Sequence, residues 1–382
     1  MFSLCARRLH QTVWRWGGAG KSAEEVAGLT GLESVTSLSN GLEHSAVVAD
    51  GKLFTYGSNK FSQLGRSGSE EPGQVALDSP PVAVSCGAWH TVSLHADGSV
   101  RSFGWGGSFL SGAGALGLGS KSAAAVPTPI PSFEEGITQI ACGNQHTLFL
   151  TESGKVLATG HGAYGILGTG ETSDELLPVE LSVLQQTLTA SPAKICCGGN
   201  FSAILTTAGS LFVWGRNDSG QLGLGQESQG DMHSAERYPR QIPFFDAERT
   251  VIRDIACGEN HVVALASNGA IYYWGDRTWL EPHLVSLPEV NGGLRGVKKI
   301  VAGSKHSLAL TEDGLLYAWG GKEGIVPTLV DPKMFRNQKV LDVAAARNRC
   351  SVVTSSRELV ATSTQEAESL HQQLGQDVHI HN

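Results

Sequence analysis

One hairpin pattern recurs six times along this 382-residue chain, and recurrence of that kind restricts the fold more than any single motif. The copies are HSAVVADGKLFTYG, closing at Gly57, and HTVSLHADGSVRSFG, closing at Gly104. HTLFLTESGKVLATG closes at Gly160 and SAILTTAGSLFVWG at Gly215, while HVVALASNGAIYYWG closes at Gly275 and HSLALTEDGLLYAWG at Gly320. Each carries an earlier glycine at a constant offset, at Gly51, Gly98, Gly154, Gly209, Gly269 and Gly314. The unit returns every 45 to 60 residues, too widely for a parallel solenoid, whose repeats run about 20 to 30.

Within a unit, an apolar run leads to an Asp-Gly, Ser-Gly, Ala-Gly or Asn-Gly step and then to a second apolar and aromatic run. Asn-Gly and Asp-Gly supply the positive φ of a two-residue type I′ turn, so the pattern predicts a tight antiparallel hairpin in every unit. The run before it, such as Ile140-Ala-Cys-Gly143 or Ile255-Ala-Cys-Gly258, adds an inner strand. Segments such as Glu281-Pro-His-Leu-Val-Ser286 or Gln74-Val-Ala-Leu77 add an outer one. Four short strands per unit, repeated about an axis, predict an all-β propeller whose neighbouring blades bury one another's faces.

A seventh unit is half present. Val343 to Thr354 copies the first half of a unit, with Arg347-Asn348 where the others have Gly and a polar residue, and no X-Gly turn follows. Val13-Trp14-Arg15-Trp16-Gly17-Gly18 matches Leu316-Tyr-Ala-Trp-Gly-Gly321. A strand containing Trp14 and Trp16 is therefore expected to complete blade seven, closing the ring without a free edge. Glu358-Leu-Val-Ala-Thr362 is the competing candidate for that strand. The resulting division is a targeting segment over 1–9, a seven-bladed β-propeller over 10–356 and a polar tail over 357–382.

Composition agrees with a turn-rich fold. Charged residues are 17 %, below the roughly 25 % of ordinary domains, and glycine, at 48 residues, is well above the usual share of about 7 %. The net charge is −8 and the basic residues are scattered, which argues against a dedicated DNA-binding tail. No window of about 20 apolar residues predicts a transmembrane segment. Seven cysteines, an odd number without C-x-x-C, support neither a disulfide framework nor a structural zinc site. The first ten residues contain Arg7, Arg8 and hydrophobics but no acid, and none follows before Glu24. That composition suits a mitochondrial presequence, with a plain cytosolic terminus as the alternative.

The units resemble the regulator-of-chromosome-condensation repeat family, marked by Gly-x-x-His, Trp-Gly and then Asn-x-x-Gly-Gln-Leu-Gly. Trp214-Gly-Arg-Asn-Asp-Ser-Gly-Gln-Leu-Gly-Leu-Gly225 carries the closing pattern almost in full, and Gly57 to Gly65 and Gly160 to Gly168 are weaker copies. Units five and six lack Gln-Leu-Gly, so their loops should differ. The resemblance covers about residues 10 to 356 and implies a seven-bladed propeller of the mitochondrial type.

Several patterns invite other chemistry. Gly112–Gly117 and Gly160–Gly165 both read G-x-G-x-x-G, yet each occupies a repeat loop with no βαβ unit around it, so no nucleotide cofactor is expected. His44, His90, His146, His261 and His306 recur at one station, with Ser202 taken to hold it in unit four. One per blade cannot gather into a ligand sphere of three or four, so a ring nitrogen of each is expected to fix its adjacent turn and no metal site is assigned. His379 and His381 read as incidental. Cys86, Cys142, Cys197 and Cys257 read as small packing residues on inner strands. Paired catalytic carboxylates, a nucleophile elbow and H-E-x-x-H are lacking, so no enzyme activity is predicted.

Function on such a frame belongs to its loops. The richest departure from the repeat is Gln226 to Arg249, where Arg237, Tyr238, Arg240, Phe244 and Phe245 have interface-anchor composition. Phe244 and Phe245 can equally cap their own blade. Glu171 to Ala193, which contains a candidate short helix, and Gly106 to Pro131 are further departures. The family resemblance implies a protein-interaction scaffold, in mitochondrial ribosome assembly and translation or respiratory-complex biogenesis. A guanine-nucleotide exchange factor for a small GTPase and a cytosolic or ciliary adaptor are the alternatives. Protein partners are thus expected: a mitochondrial ribonucleoprotein, a membrane-complex assembly or a small GTPase.

Overall fold

A computed structural model describes residues 7–17, 22–108, 114–131, 133–225, 234–288, 296–320, 324–347 and 349–359. The chain enters through β1 (Arg7–Gly17) and β2 (Glu24–Glu25), an antiparallel pair that is only half a blade. Blade one follows as β3 (Val35–Asn40), β4 (His44–Ala49), β5 (Lys52–Gly57) and β6 (Gly73–Gln74). Blade two is β7 (Pro81–Cys86), β8 (His90–His95), β9 (Val100–Gly104) and β10 (Ala124–Pro129). Blade three is β11 (Ile137–Cys142), β12 (His146–Thr151), β13 (Val156–Gly160) and β14 (Glu175–Glu180), and α1 (Ser182–Thr187) follows it.

Blade four comprises β15 (Pro192–Cys197), β16 (Phe201–Thr206), β17 (Leu211–Arg216) and β18 (Ala235–Gln241), followed by α2 (Pro243–Ala247). Blade five is β19 (Ile252–Cys257), β20 (His261–Ala266), β21 (Ile271–Gly275) and β22 (Trp279–Val285). Blade six is β23 (Val297–Ala302), β24 (His306–Thr311), β25 (Leu316–Gly320) and β26 (Thr328–Leu329). β27 (Lys339–Ala346) and β28 (Arg349–Leu359) then join the opening pair in a sheet of order β2-β1-β28-β27.

The ring is therefore closed by the strand that contains Trp14 and Trp16. β1 pairs with β28 from Arg7↔Leu359 to Gly17↔Arg349. Glu358 and Leu359 continue β28 instead of forming a separate strand, and 360–362 lie outside the described residues. The paired strands run past both ends of the 10–356 division. Inside the closed blade, Trp14 is 3 % exposed and its Nε1 donates to Thr354 Oγ1 at 2.7 Å. Phe335 meets the Trp14 and Trp16 rings edge-on, at centroid distances of 5.9 and 6.4 Å.

The core is not one mass but seven apolar clusters, one between each pair of neighbouring blades. Strand alternation produces this. Along β4, Ala46 and Val48 face blade two while Val47 and Ala49 face blade seven, so both faces are buried and the strand is apolar from Ala46 onward.

The hairpins correct one expectation. Only in blade one, among the six full units, does the turn have two residues, Asp50 (φ 51°) and Gly51 (φ 71°) between Ala49 and Lys52. In blade two His95 N donates to Ser99 O at 3.0 Å, which makes the loop three residues long, with Gly98 at φ 76° and Asp97 not left-handed. Gly154, Gly209, Gly269 and Gly314 sit likewise at φ 85–90°. A type I turn followed by a left-handed glycine bulge needs only that one positive φ, so Ser, Ala, Asn or Asp can precede it.

The outer strand expected at Glu281–Ser286 is β22, and that at Gln74–Leu77 is β6 with Val75 N bonded to Leu53 O at 2.8 Å. The loop of unit five differs, as expected: Asp276, Arg277 and Thr278 alone join β21 to β22, while residues 321–323 of the loop in unit six lie outside the described residues. Gly160–Gly165 leaves β13 into a single 3₁₀ turn, Ala163–Gly165, and Gly112 lies outside the described residues. No helix among the described residues is long and apolar enough to cross a membrane.

Candidate functional site

Because each His station pairs with the closing glycine of its unit, as in His90↔Gly104, two loop families emerge on the same face. The Gly-x-x-His turns form the inner circle and the loops after Trp-Gly the outer one. The inner turns are joined head to tail: Ala88 N to Asn144 O, Asn144 N to Gly199 O, Gly199 N to Gly258 O, Glu259 N to Gly303 O and Ser304 N to Arg347 O, at 2.8–3.2 Å. Asn144 Nδ2 also reaches past blade four to Glu259 Oε1 at 2.8 Å. A Cβ on Gly199 would stand 2.6 Å from that carboxylate oxygen, which explains the glycine. Together they frame an axial mouth of about 190 Å³.

Four of these histidines are buried and His306 is half-buried, and they tie blades to one another. His44 Nε2 lies 2.8 Å from Thr91 Oγ1, His90 Nε2 3.1 Å from Thr147 Oγ1 and His146 Nε2 3.0 Å from Ser202 Oγ, each on the next blade. His261 meets Ser307 Oγ at 3.0 Å and His306 meets Cys350 Sγ at 3.1 Å. The hydroxyls of Thr91, Thr147 and Ser202 donate onward to Gln63 O, Ala115 O and Ile166 O, so the imidazoles must donate through Nε2. The ring nitrogen expected to fix the adjacent turn goes to the next blade instead, and the ring meets its own turn by packing: a Cβ on Gly87 would lie 2.0 Å from His90 Cε1. Burial lowers the pKa of His44 and His146 to about 3 and of His90 and His306 to about 4.

Ser202 does not hold the His station in blade four. Phe201 opens β16 there and pairs with Gly215, while Ser202 occupies the hydroxyl station. No group of three or more His, Cys, Asp or Glu among the described residues could hold a metal ion. His379 and His381 lie outside them.

Beside the axial mouth is a shallow basin of about 330 Å³ spanning blades one to four, lined by Trp89, Gln145, His161, Tyr164, Asn200 and Arg216 among others. The Arg216 guanidinium stacks 5.2 Å from the Tyr164 centroid and bonds Asp218 Oδ2 at 2.6 Å. His161 Nδ1 is 2.7 Å from Asp174 Oδ1, which also accepts from Gly162 N at 3.1 Å. Tyr164 holds φ 61°, a left-handed conformation that costs a non-glycine residue about 1 kcal/mol or more and concentrates at functional sites. From the basin an aromatic line runs outward, with Trp89 at 5.7 Å from Phe61 and 5.4 Å from Trp105. All these rings are half-buried. Sequence reading missed them because repeat matching sets aside the residues that differ between units.

Of the residues singled out beforehand, Arg237, Tyr238 and Arg240 lie exposed on β18, with Tyr238 at 52 %. Arg240 pairs with Glu236 at 2.9 Å, and the Tyr238 ring lies over Gly170, where a Cβ would meet it at 2.3 Å. Phe245 is not an accessible anchor. It is 3 % exposed, against Tyr272 at 5.3 Å and Trp274 at 6.0 Å, and Phe244 packs on the same cluster, so this pair caps the interface of blades four and five. Residues 226–233 and 109–113 of the long loops lie outside the described residues, while Glu171–Ala193 supplies β14 and α1.

Comparison with known proteins agrees with this geometry. The chain is 31 % identical over 282 residues to the ultraviolet-B receptor UVR8 of Arabidopsis thaliana, covering 69 % of this chain and 60 % of that protein. It is 31 % identical over 244 residues to the mitochondrial RCC1 domain-containing protein RUG3 of the same plant, covering 60 % of this chain and 52 % of RUG3. The matched stretch thus spans little more than half the length of these relatives. The crystal structure of Prp20p from Saccharomyces cerevisiae, reported with its binding properties to Gsp1p and histones, superposes with a TM-score of 0.75. It is 20 % identical, over 95 % of this chain and 94 % of that one, a likeness of fold. The sequence pattern of the RCC1-like domain matches residues 11–320, and the chain belongs to that family of seven-bladed propellers.

Proposed function

We propose that this propeller is a non-enzymatic protein-interaction scaffold whose docking surface is the face bearing the Gly-x-x-His turns. The observation that carries the reading is the half-buried line Phe61–Trp89–Trp105 beside the Tyr164–Arg216 stack. Half-buried aromatic and Arg side chains around a concavity are what interface hot spots consist of. Arg237, Tyr238 and Arg240 extend that surface over the outer strand of blade four.

The same proposal places the protein in the mitochondrial matrix, in ribosome assembly and translation or respiratory-complex biogenesis. The acid-free, Arg-containing start of the chain supports it, as does the likeness to a relative named as mitochondrial. A second reading, nucleotide exchange on a small GTPase, is favoured by the likeness to Prp20p, whose structure was reported with its binding to Gsp1p.

The test is a C-terminally tagged chain, located in cells and then purified with its partners, beside a Trp89→Ala/Tyr164→Ala variant. Mitochondrial location and co-migration with a ribosomal or membrane-complex assembly, lost in the variant, is the expected result. Exclusion from mitochondria removes the location, a nucleotide-free GTPase as sole stable partner selects exchange, and retention of every partner by the variant removes the face.

A further inference from the structure

The inner strands of blades four and five bring two thiols together. At the rim of the axial channel, a backbone N–H at the end of an inner strand is accepted by a side chain of the preceding blade at three of the blade junctions. Ser39 Oγ takes Cys86 N at 2.9 Å and Ser85 Oγ takes Cys142 N at 3.0 Å. Between blades four and five the acceptor is Cys196 Sγ, which takes Cys257 N at 3.2 Å. Cys196 replaces the serine of its station with a nucleophile and meets a second thiol. Both cysteines are free and only partly buried, and Cys257 lines the axial mouth.

Cys196 has its pKa shifted in the opposite direction from the other described cysteines. The Cys257 thiol and backbone N–H and the ammonium of Lys194 lower its pKa, against burial and the Asp254 carboxylate. Lys194 itself is held by that carboxylate and by Ile255 O at 2.7 Å. Burial pushes Cys86, Cys142 and Cys350 up to about 12 and raises Cys197 and Cys257 as well. Thiolate fraction and access decide which cysteine reacts.

We propose that Cys196 and Cys257 form a peroxide-reactive dithiol that closes to a disulfide between blades four and five. The Cys196 thiolate attacks one oxygen of hydrogen peroxide or a small hydroperoxide, breaking the O–O bond and leaving Cys196 as a sulfenic acid with release of hydroxide or alkoxide. Cys257 Sγ then attacks Cys196 Sγ, expelling hydroxide, which leaves as water with the Cys257 proton. With hydrogen peroxide, two thiols and one peroxide become one disulfide and two waters. Cys257 lines the axial mouth of about 190 Å³, and Cys196, itself partly exposed, has its Sγ 3.2 Å from Cys257 N.

The test uses the full chain treated with hydrogen peroxide, alkylated and digested for mass spectrometry. A linked Cys196–Cys257 peptide is expected, with free thiol lost at Cys196 about tenfold or more faster than at Cys86 or Cys142. Cys257→Ser should leave Cys196 as a sulfenic acid captured by dimedone. Cys196→Ser, which restores the oxygen acceptor of blades one and two, should melt as the parent does and form no link. Oxidation of Cys196 no faster than Cys86, or no dimedone adduct in Cys257→Ser, overturns the proposal. So does a Cys257 disulfide with another residue in the parent.

Discussion

His146 Nε2 stands 3.0 Å from Ser202 Oγ of the next blade, and one blade further the same two stations are held by Phe201 and Val262. Both members of the polar pair have been exchanged together, and the two replacements share one apolar cluster. An unpaired buried polar group costs about 1–3 kcal/mol, whereas swapping both partners for apolar groups is close to neutral. Phe201→His alone should therefore destabilise the fold by about 2 kcal/mol or more, and adding Val262→Thr should recover part of that loss. Denaturant unfolding of the two single variants and the double variant gives the coupling; strictly additive effects would show that the stations do not communicate.

Much of this was legible in the chain, and the failures have physical causes. Repeat stations reported the blades, the seventh half-unit and the Trp14–Trp16 closure, because those depend on local pattern. The partner of each histidine did not, since it lies on the next blade, 44 to 57 residues away. Ser202 was placed one position late because a polar residue was sought where Phe201 stands. Phe245 illustrates a different limit: an aromatic pair after a proline reads equally as surface anchor or cap, and only Tyr272 and Trp274 beside it decide. The hairpin loops differed because a left-handed glycine serves two-residue and three-residue turns alike.

Acid should unfold this propeller through its histidines. His44 and His146 have pKa values of about 3, and His90 and His306 of about 4, against 6.5 for an exposed imidazole. Between those limits the unfolded chain binds protons that the folded chain does not, so each ring contributes stability that is complete above 6.5 and is lost as pH falls. The loss is about 1.4 kcal/mol per pH unit and per ring. Guanidinium midpoints measured at about pH 7, 6 and 5 should drop with increasing slope, less so in a His90→Gln variant. A flat profile over that interval would count against buried neutral imidazoles.

Trp214, Trp274 and Trp319 occupy one station on successive blades and are equally buried, but their indoles are not equally satisfied. Trp214 Nε1 donates to Ile166 O at 2.9 Å and Trp274 Nε1 to Gln221 O at 3.1 Å, both carbonyls of the preceding blade's outer loop. Blade five lacks the Gln-Leu-Gly loop, and Trp319 Nε1 has no partner among the described residues. Replacement by Phe removes similar volume at each site, so the hydrogen bond is the difference. Trp274→Phe should cost about 1–2 kcal/mol more than Trp319→Phe. Thermal unfolding of the two variants measures this, and equal costs would show that the indole bond contributes nothing.

Ring closure rests on how much of β1 is needed. Deleting residues 1–9 removes the three outermost paired positions of that strand and leaves Val13, 0 % exposed, and Trp14, 3 % exposed, in place. Deleting 1–18 removes the whole strand, uncovers the edge of β28 and takes Trp14 from Phe335 and Thr354. Loss of a buried Trp side chain alone costs about 3–5 kcal/mol, and an open edge of eleven residues invites pairing between molecules. The shorter truncation should melt near the parent temperature and keep the parent's oligomeric state. The longer one should melt well below it and self-associate, with the loss restored by adding a peptide of residues 7–17. Equal melting temperatures for the two truncations would place the stability of blade seven in β27 and β28 alone.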